Sequence, residues 1–245
     1  MTNVYGADSI YNLLVIDIET VPQYRDYAQL PEAWKSLWSD KISKTVPENV
    51  SPENAYQQRA GILAEFGKVI CISTGFFHNN EENKPSLRLK SISGDDEGLL
   101  LRSFIEITDK WHKHNKNFQF AGHNIREFDI PYLCRRMLIN HIPLPSYLSF
   151  QGAKPWEVKM TDTLQWWKFG DYKHYTSLHL LANVLDVPTS KTDIDGSQVQ
   201  HVYYEEKNLP RIVEYCQRDV IVVANLILRF KNLPLLTDND ITIVS

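Results

Sequence analysis

The pattern of hydrophobic and polar positions is clearest near the start of the chain. Residues 13–16 are four aliphatic residues in succession, and Asp17, Ile18 and Glu19 then alternate acid with apolar. An uninterrupted apolar run of this length is typical of a strand that is buried on both faces of a sheet. Since successive side chains of a strand point to opposite faces, the pattern predicts Asp17 and Glu19 on one face, about 6–7 Å apart along the chain.

The remaining apolar pattern predicts four more strands, with helices between and after them. The strands are expected at 68–78, 86–92 and 118–121, with a short one before Asp162. Helical spacing of apolar residues predominates after residue 125. Strands that come early and helices that come late, with alternation in the middle, predict an α/β fold. We therefore expect a mixed five-stranded sheet, partly antiparallel, with helices on both faces.

Two helical patterns fill the segment 23–65, which predicts a helical insertion after the first strand. Trp34 and Trp38 in the first of these patterns fit either core packing or a base-stacking platform. The stretch 233–245 has no long periodic pattern, and we expect it to form a loosely attached tail. The sequence thus predicts one domain over 1–245.

Composition and charge narrow the class of protein. The 245 residues are 43% hydrophobic and 23% charged, with a net charge of −4, as in an ordinary globular protein. This charge argues against a broad basic face for duplex DNA, but it allows a narrow site for a few nucleotides. No apolar run approaches the ~20 residues of a membrane span, and no signal peptide is recognisable at the N-terminus.

The spacing of the cysteines indicates the redox state of the cellular compartment. Cys71, Cys134 and Cys216 have neither metal-ligand spacing nor the spacing of a disulfide framework. Free thiols of this kind are typical of a reducing cytoplasm, so we expect a cytoplasmic protein.

The pair Asp17 and Glu19 suggests metal chemistry. Two carboxylates side by side against an apolar sheet repel each other and resist desolvation. A hard divalent cation such as Mg²⁺ or Mn²⁺ relieves that cost, because it prefers oxygen ligands. Taken alone, so short a pattern favours a strand that simply ends in solvated acids.

Two further groups of polar residues accompany this pair. Asn124, Phe128 and Asp129 lie where a predicted strand gives way to a helix, and Tyr215 and Asp219 are four residues apart on a predicted helix. Residues at this spacing share one face of the helix. Either group alone is weak, since Asp129 could cap a helix. The chain nevertheless has D-x-E, N-x-x-x-F-D and Y-x-x-x-D in that order.

This order of motifs resembles the tyrosine subgroup of the DEDD superfamily of 3′–5′ exonucleases. VIDIETVP, GHNIREFDIPYL and IVEYCQRDV are similar to the proofreading domains of family-B DNA polymerases. EFGKVICIS and DIDGSQV resemble a stand-alone bacterial group of predicted polymerase-B-like exonucleases. The likeness covers 13–231 and implies an RNase-H-like fold. The helical segment 23–65 departs from it, and no part of the 245 residues resembles a polymerase domain.

The resemblance implies a metal-dependent 3′–5′ exonuclease, a phosphodiester hydrolase that releases nucleoside 5′-monophosphates. Two divalent cations, Mg²⁺ or Mn²⁺, would be held by Asp17, Glu19, Asp129 and Asp219, with Asp17 bridging both. Tyr215 would aim the attacking water.

The resemblance also implies contacts to the substrate. The backbone at Ile18 and Thr20 would touch the terminal nucleotide, and Asn124 and Phe128 would seat the strand. Phe128 fits core packing equally well. Asp162 fits either a helix cap or a group behind the metal site. His123 is interpreted as structural, and the spacing of His174 and His179 argues against a zinc site.

Several alternatives remain open at the level of sequence. The expected partner is the 3′ end of a single-stranded nucleic acid, with DNA favoured over RNA and no membrane partner. A catalytically idle nucleic-acid-binding module and an exoribonuclease are the alternatives. An RNase-H-like endonuclease fits less well, because Tyr215 in the third motif belongs to the exonuclease plan. A replication or repair partner is not specified by any motif.

Overall fold

The first strand predicted from sequence lies at the centre of a six-stranded sheet. The computed structural model describes residues 7–47, 49–115, 117–154, 157–171, 173–189 and 194–244. In this part of the chain the strands are β1 (Leu13–Pro22), β2 (Gly67–Asn79), β3 (Pro85–Ser93), β4 (Gln119–Gly122), β5 (Met160–Asp162) and β6 (Ile241–Val244).

The helices lie between and after these strands. They are α1 (Glu32–Ile42), α2 (Pro52–Arg59), α3 (Glu97–His114), α4 (Asp129–Ile139), α5 (Thr163–Lys168), α6 (Leu178–Val184), α7 (Val199–His201) and α8 (Leu209–Phe230). A π-helical turn, Val202–Glu206, continues α7. No helix in the described ranges is both long and apolar enough to cross a membrane.

The strand order is β5-β4-β1-β2-β3-β6. Strands β1 and β2 pair antiparallel, as do β2 and β3, whereas β4 pairs parallel with β1 and β5 pairs parallel with β4. The sheet is therefore mixed, as predicted. The carboxyl ends of β1, β4 and β5 all lie at the same end of the sheet. In parallel sheets, ligands typically bind at this end.

Two details of the prediction are corrected at the other end of the sheet. The sheet has six strands rather than five, and the sixth comes from the segment that was expected to be a loosely attached tail. β6 pairs in parallel with β3, with Leu87 opposite Ile241 and Lys90 opposite Val244. Four residues give too short an alternating pattern to identify a strand, and the pairing partner lies about 150 residues away along the chain.

The alternation along β1 separates two halves of the core. Leu14, Ile16 and Ile18 pack on the face covered by α3 and α4, whereas Leu13 and Val15 pack on the face covered by α8. By the same alternation, the side chains at 17 and 19 project to the α8 face. The sheet is thus sandwiched between helices, and both acids of β1 face the longest of them.

The helical insertion between β1 and β2 has a small core of its own. Trp38, Tyr56 and Phe66 form edge-to-face pairs with ring centroids 4.9–5.2 Å apart. Trp38 is fully buried, which makes it a core residue and excludes it as a stacking platform. Trp34 packs edge-on against Phe66 and is 40% exposed.

Arg136 of α4 fastens both ends of this insertion to the sheet domain. Its guanidinium donates to the carbonyl of Ala64 at 2.9 Å and to the side-chain oxygen of Gln23 at 3.0 Å. The same guanidinium forms a buried ion pair with Glu97, with Nε 2.8 Å from Oε1. Glu97 in turn accepts the backbone N–H of Val69. One buried network therefore fixes where the insertion leaves β1 and where it returns to β2.

Candidate active site

The end of β1 brings the two acids of the first motif together with a group from α8. One carboxylate oxygen of Asp17, one of Glu19 and the Sγ of Cys216 all lie within 4.8 Å of one another. Glu19 is 8% exposed and Asp17 is only partly exposed. A register shift in the β1–β2 ladder falls directly after Glu19. The strand therefore changes its pairing immediately after the two acids.

Asp129 reaches the same place from the start of α4. It is the first residue of that helix and is 4% exposed. Its carboxylate accepts a hydrogen bond from the backbone N–H of Ile18, which lies between the two acids of β1. A carboxylate at a helix N-terminus also interacts favourably with the helix dipole. The second motif is thus connected to the first by a direct hydrogen bond.

The third motif lies on α8, which packs across β1 and β2. The hydroxyl of Tyr215 is hydrogen-bonded to the carboxylate of Asp219, one helical turn further along. The charge of Asp219 acts on both Asp17 and Glu19, which places it in the same cluster. The structure therefore brings together the five residues that the sequence predicted as catalytic.

A tight loop between β4 and α4 sets the direction from which the side chain of Asp129 approaches the acidic cluster. A Cβ on Gly122 would lie 2.8 Å from the Cβ of Ile125 and 3.1 Å from the carbonyl of Ile16, so only glycine allows this close approach. Asn124 adopts a left-handed backbone with φ of 59°, which asparagine tolerates better than most residues.

Asp162 holds this loop and also caps α5. Its carboxylate accepts the backbone N–H groups of Leu164 and Gln165, as expected of a helix cap. It also accepts the N–H groups of Asn124 at 3.0 Å and Arg126 at 3.2 Å. The helix-cap interpretation of Asp162 is therefore confirmed, and the same carboxylate also holds the loop that leads to Asp129.

His123 has a structural role, in agreement with the prediction. One ring nitrogen lies 2.9 Å from the hydroxyl of Thr163, and the other lies 2.9 Å from the carbonyl of Thr176. This histidine joins the end of β4 to α5 and to the segment before α6.

The electrostatics of the cluster are those of crowded acids. Burial, followed by repulsion from the neighbouring acids, raises the pKa of Asp17 and of Glu19 well above the usual range. Burial also raises the pKa of Asp129 to about 7 and that of Asp219 to about 6. For Asp219 the hydrogen bond from Tyr215 acts in the opposite direction. Without a cation, ionising all four carboxyl groups at neutral pH is therefore unfavourable in free energy.

The residues present fit a divalent cation site. The Oδ2 of Asp17 is buried and has no hydrogen-bond partner within the described ranges. An orphaned buried carboxylate oxygen is costly unless a cation or a donor satisfies it. Four carboxylates offer the oxygen ligands that Mg²⁺ and Mn²⁺ prefer. Asp17, Glu19, Asp129 and Asp219 are the residues that could hold such ions.

Two of the predicted substrate-contact residues, Ile18 and Thr20, flank Glu19 on β1, and the other two, Asn124 and Phe128, lie on the segment that leads into Asp129. Ile18 is buried, and its N–H is used by Asp129, whereas Thr20 is hydrogen-bonded through its side chain to Tyr132. The Oδ1 of Asn124 is buried without a partner in the described part of the chain. Phe128 is partly exposed, with its ring centroid 5.4 Å from that of Tyr132, so it packs against the edge of the core.

Sequence reasoning missed three residues near the site. The charge of His179 in α6 acts on Asp219, and the charge of Asp129 acts on Tyr175, which is 66% exposed. The third is Cys216. For Cys216, the only available signal was its position directly after Tyr215. For Tyr175 and His179 there was none, because the segment that contains them carries no motif that places it at the site.

Comparison with known proteins agrees with this arrangement. A family model described as a predicted 3′–5′ exonuclease related to the exonuclease domain of PolB matches residues 62–239. No curated protein matches the chain.

Among solved structures, the chain is similar to the family B DNA polymerase from the hyperthermophilic archaeon Pyrobaculum calidifontis. The TM-score is 0.51 at 14% identity, over 89% of this chain and 24% of the polymerase, so the chain spans about a quarter of that protein's length. A yeast NOT1 MIF4G domain co-crystallized with CAF1 gives 0.40 at 13% identity, covering 96% and 84% of the two chains. The RNase domain of the yeast Pop2 protein gives 0.33 at 14%, covering 85% and 77%.

At these identities the structural likeness concerns the fold alone, and only the polymerase match is close enough to support an argument. That match agrees with the RNase-H-like, mixed α/β architecture predicted from the motifs. The family match covers well over half of the chain and includes the second and third motifs. The chain therefore belongs to the family of predicted 3′–5′ exonucleases related to the exonuclease domain of PolB.

Proposed function

We propose that the protein is a metal-dependent 3′–5′ exonuclease that removes nucleoside 5′-monophosphates from the 3′ end of single-stranded nucleic acid, with DNA as the favoured substrate. One observation carries this proposal. Three separate parts of the chain bring four acids and Tyr215 to the carboxyl end of β1. The family of the chain supports the same conclusion.

In this proposal the four acids serve as ligands to two divalent cations, Mg²⁺ or Mn²⁺. When bound, the cations would supply the Lewis-acid chemistry of phosphodiester hydrolysis, namely a water ionised near neutral pH and charge offset on the phosphoryl group. The hydrogen bond from Ile18 to Asp129 keeps the second motif in place before any ion arrives. Such preorganisation reduces the reorganisation needed during the reaction.

Tyr215 would orient the attacking water rather than take its proton. Burial, and then the charge of Asp219, raises the pKa of Tyr215 well above its usual range, so the phenol stays protonated at neutral pH. Because the hydroxyl donates to Asp219, its lone pairs remain free to accept a hydrogen from water. A fixed acceptor at this position would aim the water at the phosphorus.

The substrate would be a strand end rather than a duplex face. The net charge of −4 provides no broad basic surface, so phosphate binding would depend on the cations and a few local contacts. The backbone at Ile18 and Thr20 would meet the terminal nucleotide, and the partly exposed ring of Phe128 would support the strand with Asn124. Aromatic rings stack on the bases of single strands with little dependence on sequence.

The proposal is tested with purified protein and single-stranded DNA or RNA oligonucleotides, in Mg²⁺, Mn²⁺ or EDTA. We expect hydrolysis with either metal and none in EDTA, and we expect Asp17→Asn to be inactive. Asp40→Asn, an exposed acid on α1, is the matched control and should keep full activity. Binding of the oligonucleotides without hydrolysis would instead support an idle binding module. Hydrolysis of RNA in preference to DNA would support an exoribonuclease.

A further inference from the structure

The connection between α5 and α6 carries an aromatic residue in an unfavourable conformation. Phe169 ends α5 in the left-handed region of the backbone, with φ of 46°, where glycine or asparagine is the usual residue. For a bulky side chain this conformation is strained. The ring of Phe169 is also 87% exposed, so burial in the core does not offset the strain. A ring held in solvent by a strained backbone is typical of a residue that binds a ligand.

Phe169 borders a cavity that is walled by aromatic rings. The cavity has a volume of about 300 Å³ and is lined by Gln165, Trp166, Phe169 and Phe230. The rings of Trp166 and Phe230 meet edge to face, with centroids 5.6 Å apart. Small-molecule sites combine apolar walls with a few polar groups, and here Gln165 supplies an amide that can both donate and accept hydrogen bonds. A flat aromatic ligand with a polar edge, such as a nucleobase, fits this lining.

The same connection is fastened beside the proposed active site at both ends. At its start, the Asp162 carboxylate caps α5 and also holds the loop before α4. At its end, the carbonyl of Thr176 lies 2.9 Å from a ring nitrogen of His123. Tyr175 comes directly before this anchor, is 66% exposed, and is close enough to Asp129 to feel its charge. The connection therefore joins the border of the acidic cluster to the cavity.

Helix α8 gives the distance between the acids and the cavity. Phe230 lies eleven residues after Asp219 on this helix, which is about 16 Å at 1.5 Å per residue. A strand that rises 3.4 Å per stacked nucleotide covers this distance in about five nucleotides. Between α5 and α6 the sequence has Lys168 and Lys173 against one acid, Asp171, although the whole chain is acidic. The segment is thus locally suited to a phosphate backbone.

We propose that the connection between α5 and α6 guides the single-stranded substrate, with Tyr175 stacking on a base near the 3′ end and the Phe169 cavity holding a base about five nucleotides upstream. This inference rests on the proposed function, because it takes a single strand as the ligand and specifies its path. A base stacked on an aromatic ring contributes about 5- to 150-fold to affinity, with little dependence on sequence. The path therefore favours strands with several unpaired nucleotides.

Phe169→Asn tests this path without endangering the fold. Asparagine tolerates the left-handed backbone better than phenylalanine, so the variant should melt no lower than the wild type. Its affinity for a ten-nucleotide single strand, measured by fluorescence anisotropy in EDTA, should nevertheless fall about 5- to 150-fold. Phe169→Trp keeps a stacking ring and should bind within about twofold of the wild type. Leu99→Ala removes an exposed apolar side chain on α3 and should leave affinity unchanged.

Strand length tests where each base binds. A trinucleotide is too short to reach the cavity, so its KM in Mg²⁺ should be the same for Phe169→Asn and wild type, whereas the KM of a ten-nucleotide strand should rise. Tyr175→Ala should raise both KM values, and Tyr175→Phe, which keeps the ring, should raise neither. Unchanged affinity in Phe169→Asn, or an equal effect of this variant on both strand lengths, would overturn the proposed path.

The path and the nuclease function can fail separately. Anisotropy involves no hydrolysis, so a protein that binds strands through Phe169 and hydrolyses none would contradict the nuclease but support the path. Metal-dependent hydrolysis that is indifferent to Phe169→Asn on strands of every length would contradict the path alone. If this surface serves a protein partner instead of a nucleic acid, strand affinity will likewise be unchanged in Phe169→Asn, and the path is overturned.

Discussion

The hydroxyl of Tyr215 is hydrogen-bonded to the carboxylate of Asp219, one turn further along α8. The tyrosine is held by a residue that also belongs to the acidic cluster. Its own pKa is raised well above the usual range, first by burial and then by that neighbouring charge. The phenol is therefore a neutral hydrogen-bonding group under all physiological conditions, and its task in the proposed mechanism is positional.

Tyr215→Phe should separate positioning from metal binding. The variant keeps the ring and removes only the hydroxyl, so Mn²⁺ and oligonucleotide should bind nearly as in the wild type. Turnover should fall by about 10–10³-fold, the usual contribution of a positioned hydrogen-bonding group. Calorimetric Mn²⁺ titration and single-turnover hydrolysis measure the two properties.

Two further variants control this experiment. Tyr147→Phe removes a hydroxyl that contacts Thr108 and Asp109, and it should keep the wild-type rate. Asp219→Ala should lose metal as well as turnover. The assignment of Tyr215 is wrong if Tyr215→Phe keeps the full rate, or if it loses metal as severely as Asp219→Ala.

The raised carboxyl pKa values predict how stability depends on pH in the absence of a divalent ion. The pKa of Asp129 is about 7 in the folded protein, against about 3.9 in an unfolded chain. Between these values the folded state binds more protons than the unfolded state, so the free energy of unfolding falls as pH rises. We expect the part of this fall that comes from Asp129 to level off above about pH 7. Thermal unfolding in EDTA at stepwise pH measures it.

A bound cation should reverse this trend, because it stabilises the ionised acids. Mn²⁺ should raise the melting temperature more at pH 8 than at pH 5, where protons compete for the same carboxylates. Asp129→Asn removes one titrating group, so its stability in EDTA should fall less steeply with pH. An equal Mn²⁺ effect at both pH values would contradict the cation site.

Arg136 is predicted to be the most sensitive structural residue outside the site. Arg136→Met would leave Glu97, which is 7% exposed, as a buried charge without its partner. Breaking a buried ion pair in this way costs about 3–5 kcal/mol. It would also release the hydrogen bonds to Gln23 and Ala64 at the ends of the insertion. Chemical denaturation gives the loss directly.

The neighbouring Arg135 provides the matched control for this change. Arg135 is exposed on the same helix, so Arg135→Met should shift stability by less than about 0.5 kcal/mol. Adding Glu97→Gln to Arg136→Met should recover part of the loss, since no buried charge then remains. A double variant as unstable as Arg136→Met alone would show that the charge is not the cause.

Much of this arrangement could be predicted from the sequence, because it depends on local periodicity. The alternation in β1 placed Asp17 and Glu19 on one face, and the i, i+4 spacing placed Tyr215 beside Asp219. β6 was missed because a four-residue strand becomes recognisable only when it pairs with β3. Cys216 was missed for a similar reason, since its contact with Asp17 depends on how α8 crosses β1.

The narrow, acidic site also predicts a preference for unpaired strand ends. A terminal base pair must lose its stacking, about 1.4 kcal/mol per step, before its 3′ nucleotide can enter. A blunt duplex should therefore be degraded about 10-fold more slowly than the same strand alone. A duplex with a short 3′ overhang should regain the single-strand rate until the overhang is consumed. Equal rates on all three substrates would contradict a site limited to single strands.

The polarity of digestion tests the central claim most directly. Single-stranded DNA labelled at its 5′ end should shorten in Mg²⁺ one nucleotide at a time, and the released product should be nucleoside 5′-monophosphate. The same strand labelled at its 3′ end should lose its label in the first turnover. Asp17→Asn, which removes a proposed metal ligand, should show neither change. Release of the 5′ label first, cleavage within a circular single strand, or undiminished hydrolysis in excess EDTA would contradict a metal-dependent 3′–5′ exonuclease.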